Sequence, residues 1–297
     1  MAPYTTDIGG AVCNVAIELR ATATVAATSD TTPFTPPADP LIHAAWLRAG
    51  KPPVAITLAS DIPMGSGLGG SSAAGVAVAA ALAALRGEEL DPTALAELSR
   101  RTETETMGLA GGCQDHYAAA YGGALLLTCG AATMVEQIPL HPQTIEQFEA
   151  RAMIAYTGES RMSANTITAV MQLYRDDDAE TCNALHKMAD LATPMAHALR
   201  SGDIDRLGEL LNDQWQAQRA LHPTITTPLI DRIVTSVADA GALGTKALGA
   251  SGGGCVLVIA RADRIAAVRA ALSQHATLLP LRVARTGVHL TTTAGSD

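Results

Sequence analysis

The chain has few lysines, few aromatics and little charge. Lysine stands only at positions 51, 187 and 246, and 20 basic residues face 29 acidic ones, for a net charge of −9. That balance argues against a nucleic-acid-binding surface, which needs a basic face. Aromatic residues make up 3% of the 297 positions, while 48% are hydrophobic. Much of that apolar content is alanine, so helices should pack closely. Five cysteines, at 13, 113, 129, 182 and 255, include no CxxC pair and no zinc-ligand spacing. They read as reduced thiols of a cytoplasmic protein. The N-terminus has neither the basic start nor the apolar core of a signal peptide. An uncharged stretch runs from Ile62 to Leu85, but its first half is rich in glycine and serine. The apolar helix left over, Ala73 to Leu85, is too short to cross a bilayer. Disorder and collagen-like repeats are excluded, and a chain of this length can bury roughly 75% of its unfolded surface without disulfides or a structural metal.

What is present alternates between strand and helix signals. Gly9 to Thr28 alternates β-branched and small residues, as a strand or hairpin does, and Val54 to Leu58 reads as a strand. Leu41 to Gly50 reads as a short helix. Asp91 and Pro92 have the chemistry of an N-cap and a first helical residue, and Gly108 that of a stop. Ala124 to Thr128 and Met153 to Tyr156 suit strands, and His141-Pro142-Gln143 suits a loop between them. Ser163 to Leu221 is helical in pattern, broken at Asp176 to Asp178 and at Pro194. Helix Pro228 to Ala240, a glycine turn at 249 to 254, strand Cys255 to Ala260, helix Ala262 to Ser273 and strand Leu281 to Arg285 complete the chain. The expected fold class is α+β in two halves, 1–150 and 151–297.

The strongest local signal is Pro63-Met64-Gly65-Ser66-Gly67-Leu68-Gly69-Gly70-Ser71-Ser72, glycines that run into the start of an apolar helix. Glycine lets backbone approach an anion, and a helix start offers unpaired N–H groups with about half a positive charge. The segment reads as a phosphate cradle. It is not of the Walker type, since no Gly-Lys-Ser/Thr follows, and its glycine spacing differs from the dinucleotide fingerprint. The bland alternative is a turn capped by Ser71 or Ser72.

Pro-x-Gly-Ser-Gly-Leu-Gly-x-Ser-Ser-Ala resembles the second motif of the GHMP kinases, the superfamily of galactokinase, homoserine kinase, mevalonate kinase and phosphomevalonate kinase. Lys246 to Cys255, which includes Gly252, Gly253 and Gly254, is similar to its third motif, a C-terminal glycine loop that leans on nucleotide phosphates. Glu103 through Asp115, with Gly111-Gly112-Cys113-Gln114-Asp115-His116-Tyr117, resembles its metal and catalytic carboxylate segment. The Gly-Gly-x-Gln-Asp-x-Tyr form is that of the sugar 1-kinase branch, with heptose 7-phosphate kinase and fucokinase-like members. The three motifs stand in the family's order.

The resemblance implies an N-terminal mixed β/α domain, a C-terminal ferredoxin-like α/β sandwich, and ATP with Mg2+. It implies nucleotide contact at Pro63, Gly65, Ser66, Gly67, Leu68, Gly69, Gly70, Ser71 and Ser72 and at Gly252 to Gly254. Asp115 would be the catalytic carboxylate. The metal would be met by Glu103 and by Ser71, with Ser72 one register away. Tyr4, Asp7, Gly112, Gln114 and Arg161 would meet a sugar or sugar phosphate. General chemistry agrees, because phosphoryl transfer needs positioned phosphates, hard oxygens for magnesium and a group that receives the hydroxyl proton.

Each role has a plainer reading. Glu103 and Glu105 are spaced to pair with Arg100 and Arg101 on a helix. Asp115 can cap a helix, Gly252 to Gly254 can be a packing turn, Lys246 can approach a phosphate or cap its helix, and Arg161 can pair with Glu159. The family's first motif is represented from Pro3-Tyr4 through Asp7 to Gly9-Gly10-Ala11-Val12-Cys13-Asn14-Val15-Ala16-Ile17. Its strand and basic residue lie before that point, so the natural start is expected upstream of Met1. Two other classes compete. Gly249-Ala250-Ser251-Gly252-Gly253 fits the nucleophile-elbow pattern of serine hydrolases, but a helix is expected before it and a strand after, the reverse of the elbow. An inactive nucleotide- or sugar-binding regulator on the kinase fold is the other, favoured by the partial first motif and by Gly70, where relatives commonly place serine.

Overall fold

The computed structural model describes residues 4, 8–27, 35–109, 111–130, 132–159 and 163–292. In the first half, β1 (Gly10–Val15), β4 (Ala124–Cys129) and β5 (Met134–Ile138) form an antiparallel sheet in the order β1-β4-β5. β2 (Ala21–Ala27) pairs separately with β3 (Val54–Ser60). Gly9 to Thr28 therefore does not close as a hairpin; its two strands join different sheets. Val15 is followed by an excursion in which Ala16 N–H donates to the Gly123 carbonyl and Glu18 N–H to that of Arg282, so pairing with distant segments replaces the local turn.

Five helices accompany these strands: α1 (Pro40–Arg48), α2 (Gly70–Leu85), α3 (Pro92–Arg101), α4 (Gln114–Tyr121) and α5 (Pro142–Arg151). The Asp91 carboxylate accepts from Ala94 N–H at 2.8 Å and Pro92 opens the helix, as the local chemistry predicts. α3 then widens into a π-helical turn, Thr102–Thr106, where Met107 N–H reaches back to the Thr102 carbonyl. Pro142, expected in a loop, is instead the first residue of α5, where its missing N–H costs nothing. No helix among the described residues is long and apolar enough to cross a membrane.

The second half carries β6 (Ala152–Tyr156), helices α6 (Ser163–Arg175), α7 (Ala179–Asp190), α8 (Ala192–Ser201), α9 (Ile204–Arg219) and α10 (Pro228–Ala240), then β7 (Ala242–Ala247), β8 (Cys255–Ala260), α11 (Ile265–Ser273) and β9 (Thr277–Leu279). Its sheet is antiparallel in the order β7-β8-β6-β9. Strand, crossover, hairpin, crossover and edge strand in that order make the ferredoxin-like arrangement, and the fold class is α+β as expected. Pro194 does not break a helix; it sits in the first turn of α8, and Gly202 ends that helix in the left-handed conformation at φ 74°. A strand, β7, precedes the 248–254 turn where a helix is expected. The elbow argument thus loses its first half and keeps its second: β8 follows the turn, and no helix does.

Four apolar clusters hold these layers. The largest joins β6 to β8 with α6, α7, α9, α10 and α11 around Trp215, Ile230 and Val237, all fully buried. A second takes side chains from both halves, among them Ala124, Phe148, Leu199, Leu210, Ile259 and Val283. The remaining two pack α2 against α3, α4 and the first sheet, and against α1 with β2 and β3. Buried Trp215 has an indole N–H with no hydrogen-bond partner. Trp215→Ala should therefore cost about 3–5 kcal/mol in urea unfolding. Trp215→Phe, which relieves an orphaned donor, should cost about 1 kcal/mol or less; equal losses for the two variants would contradict this packing.

Candidate active site

The glycine segment after β3 forms an open loop whose residues Gly65, Gly67 and Gly69 all have positive φ. Glycine is required at two of them by close approach. A Cβ on Gly67 would lie 2.8 Å from the Leu248 carbonyl oxygen, and one on Gly69 would lie 2.9 Å from the Asp115 Cβ and Cγ. The loop is thus wedged between the 248–254 turn on one side and Asp115 on the other. Cys255 N–H donates to the Ser66 carbonyl at 2.7 Å, which ties the two glycine segments together through backbone.

Gly69 is the N-cap of α2, and no side chain caps that end. The reading of Ser71 or Ser72 as a cap is therefore set aside. The first N–H groups of α2 are left for a ligand, in the orientation that favours an anion. The second glycine turn is built differently. Gly252 N–H donates to the Ile225 carbonyl at 2.9 Å and Gly254 N–H to the Glu159 carbonyl at 2.7 Å. Those two amides serve the chain itself, so any nucleotide contact at Gly252 and Gly254 would be made without their N–H groups. The turn acts as a buttress for the first loop.

Ser71 and Glu103 meet as the metal reading requires. Ser71 Oγ lies 3.3 Å from Glu103 Oε1, and the other carboxylate oxygen is 2.9 Å from His116 Nε2. Ser72 meets the histidine and makes no hydrogen bond to the carboxylate. Its Oγ sits 3.3 Å from the same His116 nitrogen and the residue is buried, so Ser72 is corrected from a metal ligand to a support. Ser99 Oγ fixes the other ring nitrogen at 2.9 Å. The alternative ion pairs are absent: Arg100 holds Glu97 at 2.8 Å, and Glu105 is held by Arg48 at 3.2 Å.

Mg2+ takes one or two protein oxygens and completes its shell with phosphate oxygens and water. Ser71 and Glu103 fit that demand. Among the described residues no three His, Cys, Asp or Glu side chains gather to hold a metal by themselves.

Asp115 lies in the first turn of α4 but does not cap it, since the N-cap is Cys113 and no side chain bonds the helix end. Desolvation raises the pKa of its carboxyl, partly offset by the neighbouring His116. That direction suits a group that must accept a proton. Asn14 Nδ2 donates to the Gln114 carbonyl at 3.1 Å and so braces the turn that carries Asp115. Asn14 Oδ1 and Gln114 Oε1 are buried acceptors without a partner in the protein. Of the two residues, Asn14 lines the cavity that holds Asp115.

Asn14, Gly67, Gly69, Asp115 and Lys246 share a cavity of about 740 Å3 that also runs along β1 and β2. Tyr4 is corrected from a substrate residue to a core residue: it is buried in the largest apolar cluster. Asp7 and Arg161 lie outside the described residues, and Gly112 lies in the turn just before α4. The residue that the motifs did not single out is His116. A lone histidine on an apolar helix carries no local signal, and only the convergence of α2, α3 and α4 gives it its role.

Comparison with known proteins gives the family and the fold. Two family models match, that of the GHMP kinases N terminal domain at residues 40–123 and that of the GHMP kinases C terminal domain at residues 195–277. The chain is 29% identical over 197 residues to the D-glycero-alpha-D-manno-heptose 7-phosphate kinase of Campylobacter jejuni, covering 66% of this chain and 58% of that protein. It is 27% identical over 228 residues to the bifunctional fucokinase/GDP-fucose pyrophosphorylase of Arabidopsis thaliana, covering 75% of this chain and 21% of that protein. It is 30% identical over 212 residues to the mevalonate kinase of Thermococcus sibiricus, covering 70% of this chain and 60% of that protein. The matches therefore span between 21% and 60% of the length of these relatives. A solved D-glycero-D-manno-heptose 1-phosphate kinase from Bacteriodes thetaiotaomicron has the same fold, with a TM-score of 0.77 at 22% identity over 98% of this chain and 94% of that one.

Glu103 gives a pH test of the site. The His116 hydrogen bond, aided by Ser71, holds its carboxyl below the ordinary 4.5, against the opposing effect of burial. A depressed carboxylate binds fewer protons folded than unfolded, so its contribution is present above 4.5 and is lost as pH falls through the folded value. The stability gap between wild type and Glu103→Gln, measured by urea unfolding, should hold at about pH 6–7 and shrink below about pH 4. A gap independent of pH would contradict the pairing.

Proposed function

Since the chain belongs to the GHMP kinase family, we propose that it transfers the γ-phosphate of ATP to a sugar hydroxyl, the anomeric one, of a hexose or a heptose phosphate. The observation that carries the reading is the convergence on one cavity of an uncapped helix start and the Asp115 carboxylate, with the Ser71–Glu103 pair on the same helix start and the turn beyond it. Similarity to heptose phosphate kinase and fucokinase supports a sugar acceptor, as does the Gly-Gly-x-Gln-Asp-x-Tyr form of the segment around Asp115.

The N–H groups at the start of α2 would hold phosphate oxygens, and the Gly67 and Gly69 backbone allows their approach. Bound Mg2+ would neutralise phosphate charge, held by Ser71 and Glu103 while His116 keeps the carboxylate ionised and oriented. Asp115 receives the proton of the attacking hydroxyl, which its raised pKa favours. Asn14 keeps the Asp115 turn in place, and its free acceptor, which lines the cavity, orients another hydroxyl of the sugar.

The test is ADP release from Mg-ATP across free sugars, sugar phosphates and mevalonate. Turnover is expected with one sugar class, and Asp115→Asn should lower kcat by about 100-fold or more with nucleotide affinity retained. Turnover with mevalonate alone would replace the sugar reading. Loss of less than about tenfold in Asp115→Asn would remove Asp115 from the proton-accepting role.

A further inference from the structure

Lys246 is one of three lysines in the chain and projects from β7 just before the second glycine turn. No carboxylate pairs with it among the described residues; its ammonium donates to the Gln218 side-chain oxygen. Gln218 is itself buried on α9, and its amide nitrogen donates to the Gly249 carbonyl at 3.1 Å. Gly249 in turn abuts Gly67, since a Cβ built on Gly249 would stand 3.0 Å from the Gly67 Cα. Lys246 and Leu248, two apart on an extended segment, both line the cavity that holds Gly67, Gly69 and Asp115.

An ammonium on this partly buried residue has given up some of its water and gained no counter-charge among the described residues, an arrangement that costs free energy until an anion arrives. Burial pulls its pKa down from 10.5 to about 7. The phosphate cradle opposite has the complementary deficiency. Gly65 to Ser72 contains no basic side chain, and phosphoryl transfer concentrates negative charge that backbone N–H groups and one divalent ion share with a positioned cation in the usual arrangement. A neutral Gln218 partner holds the lysine stem in place without consuming its charge.

On this geometry, and resting on the kinase reading above, we infer that Lys246 is a ligand-binding cation that pairs with a phosphate group bound in the cavity. Two sources carry that chemistry: the terminal phosphate of the nucleotide, and a phosphate already present on the acceptor. Lys246 touches the ligand directly, and through Gln218 it also sets the second glycine turn against the first loop.

The experiment is calorimetric titration of wild type, Lys246→Met, Lys246→Gln and Lys246→Arg with Mg-ADP, with Mg and a non-hydrolysable ATP analogue, and with a heptose phosphate. If the nucleotide supplies the phosphate, the uncharged variants lose about tenfold or more in affinity for the triphosphate analogue and keep that for Mg-ADP. If the acceptor supplies it, the loss falls on the heptose phosphate alone. In either case Lys246→Arg retains most of the affinity. The proposal is overturned if no affinity changes, or if all three ligands weaken by one common factor in the arginine variant as in the uncharged ones, which is the behaviour of a residue that only supports the turn. Thermal melts of all four proteins separate these outcomes from misfolding. Failure of the wild type to bind any nucleotide would count against the kinase reading instead, and is distinguishable because it needs no variant.

Discussion

Everything at the site depends on a backbone-to-backbone contact between two glycine segments that lie far apart in sequence. The Ser66 carbonyl accepts from Cys255 N–H at 2.7 Å, and neither Gly67 nor Gly249 has room for a side chain where they cross. This contact fixes the first loop from behind, so its amides and the start of α2 face the cavity. It also sets the two halves of the chain against each other at the point where the chemistry is carried out. A side chain at Gly67 would bring a Cβ to 2.8 Å from the Leu248 carbonyl oxygen, so the two segments would have to part and the cradle would lose its seat beside Asp115.

The second constraint is a polar relay that runs from exposed Ser71 into the buried His116 between the helices. Ser71, Glu103, His116, Ser72 and Ser99 come from α2, α3, α4 and the π-helical turn, and each buried atom in the relay has a partner. Satisfied networks of this kind rigidify a site, because any member that moves leaves another unpaired at a cost of about 1–3 kcal/mol. The π-helical turn has a role here. Glu103 lies in that turn four residues after Ser99, so the two present one face to His116, while Glu97 and Arg100 pair on another. The fold supplies a carboxylate that is ionised and aimed before any ligand arrives.

Features governed by local chemistry were legible in the sequence. The Asp91 and Pro92 start, the helix at Pro228 to Ala240, the acidic turn at 176 to 178 and the glycine loop before α2 all depend on neighbours in the chain. Features governed by distant partners were not. β1 and β2 read as one strand or hairpin because strand propensity says nothing about which edge a strand joins. β7 has the composition Ala-Leu-Gly-Thr-Lys-Ala, which lacks alternation, and it is a strand because Gly244 lets α9 pack on it closely. The resemblance to the family's motifs pointed to Asp115, Glu103 and Ser71. It could not assign Ser72, Gly252 and Gly254 their supporting roles, since the partners that occupy them are 44, 27 and 95 residues away. His116 was invisible for the same reason.

The most direct measurement of the central claim is a crystal structure with Mg2+ and a non-hydrolysable ATP analogue. The account predicts the phosphates on the Gly67 to Ser71 backbone, a metal ion between Ser71 and Glu103, and Asp115 facing the terminal phosphate. Phosphates bound away from the start of α2, or a metal ion that contacts neither Ser71 nor Glu103, would contradict it.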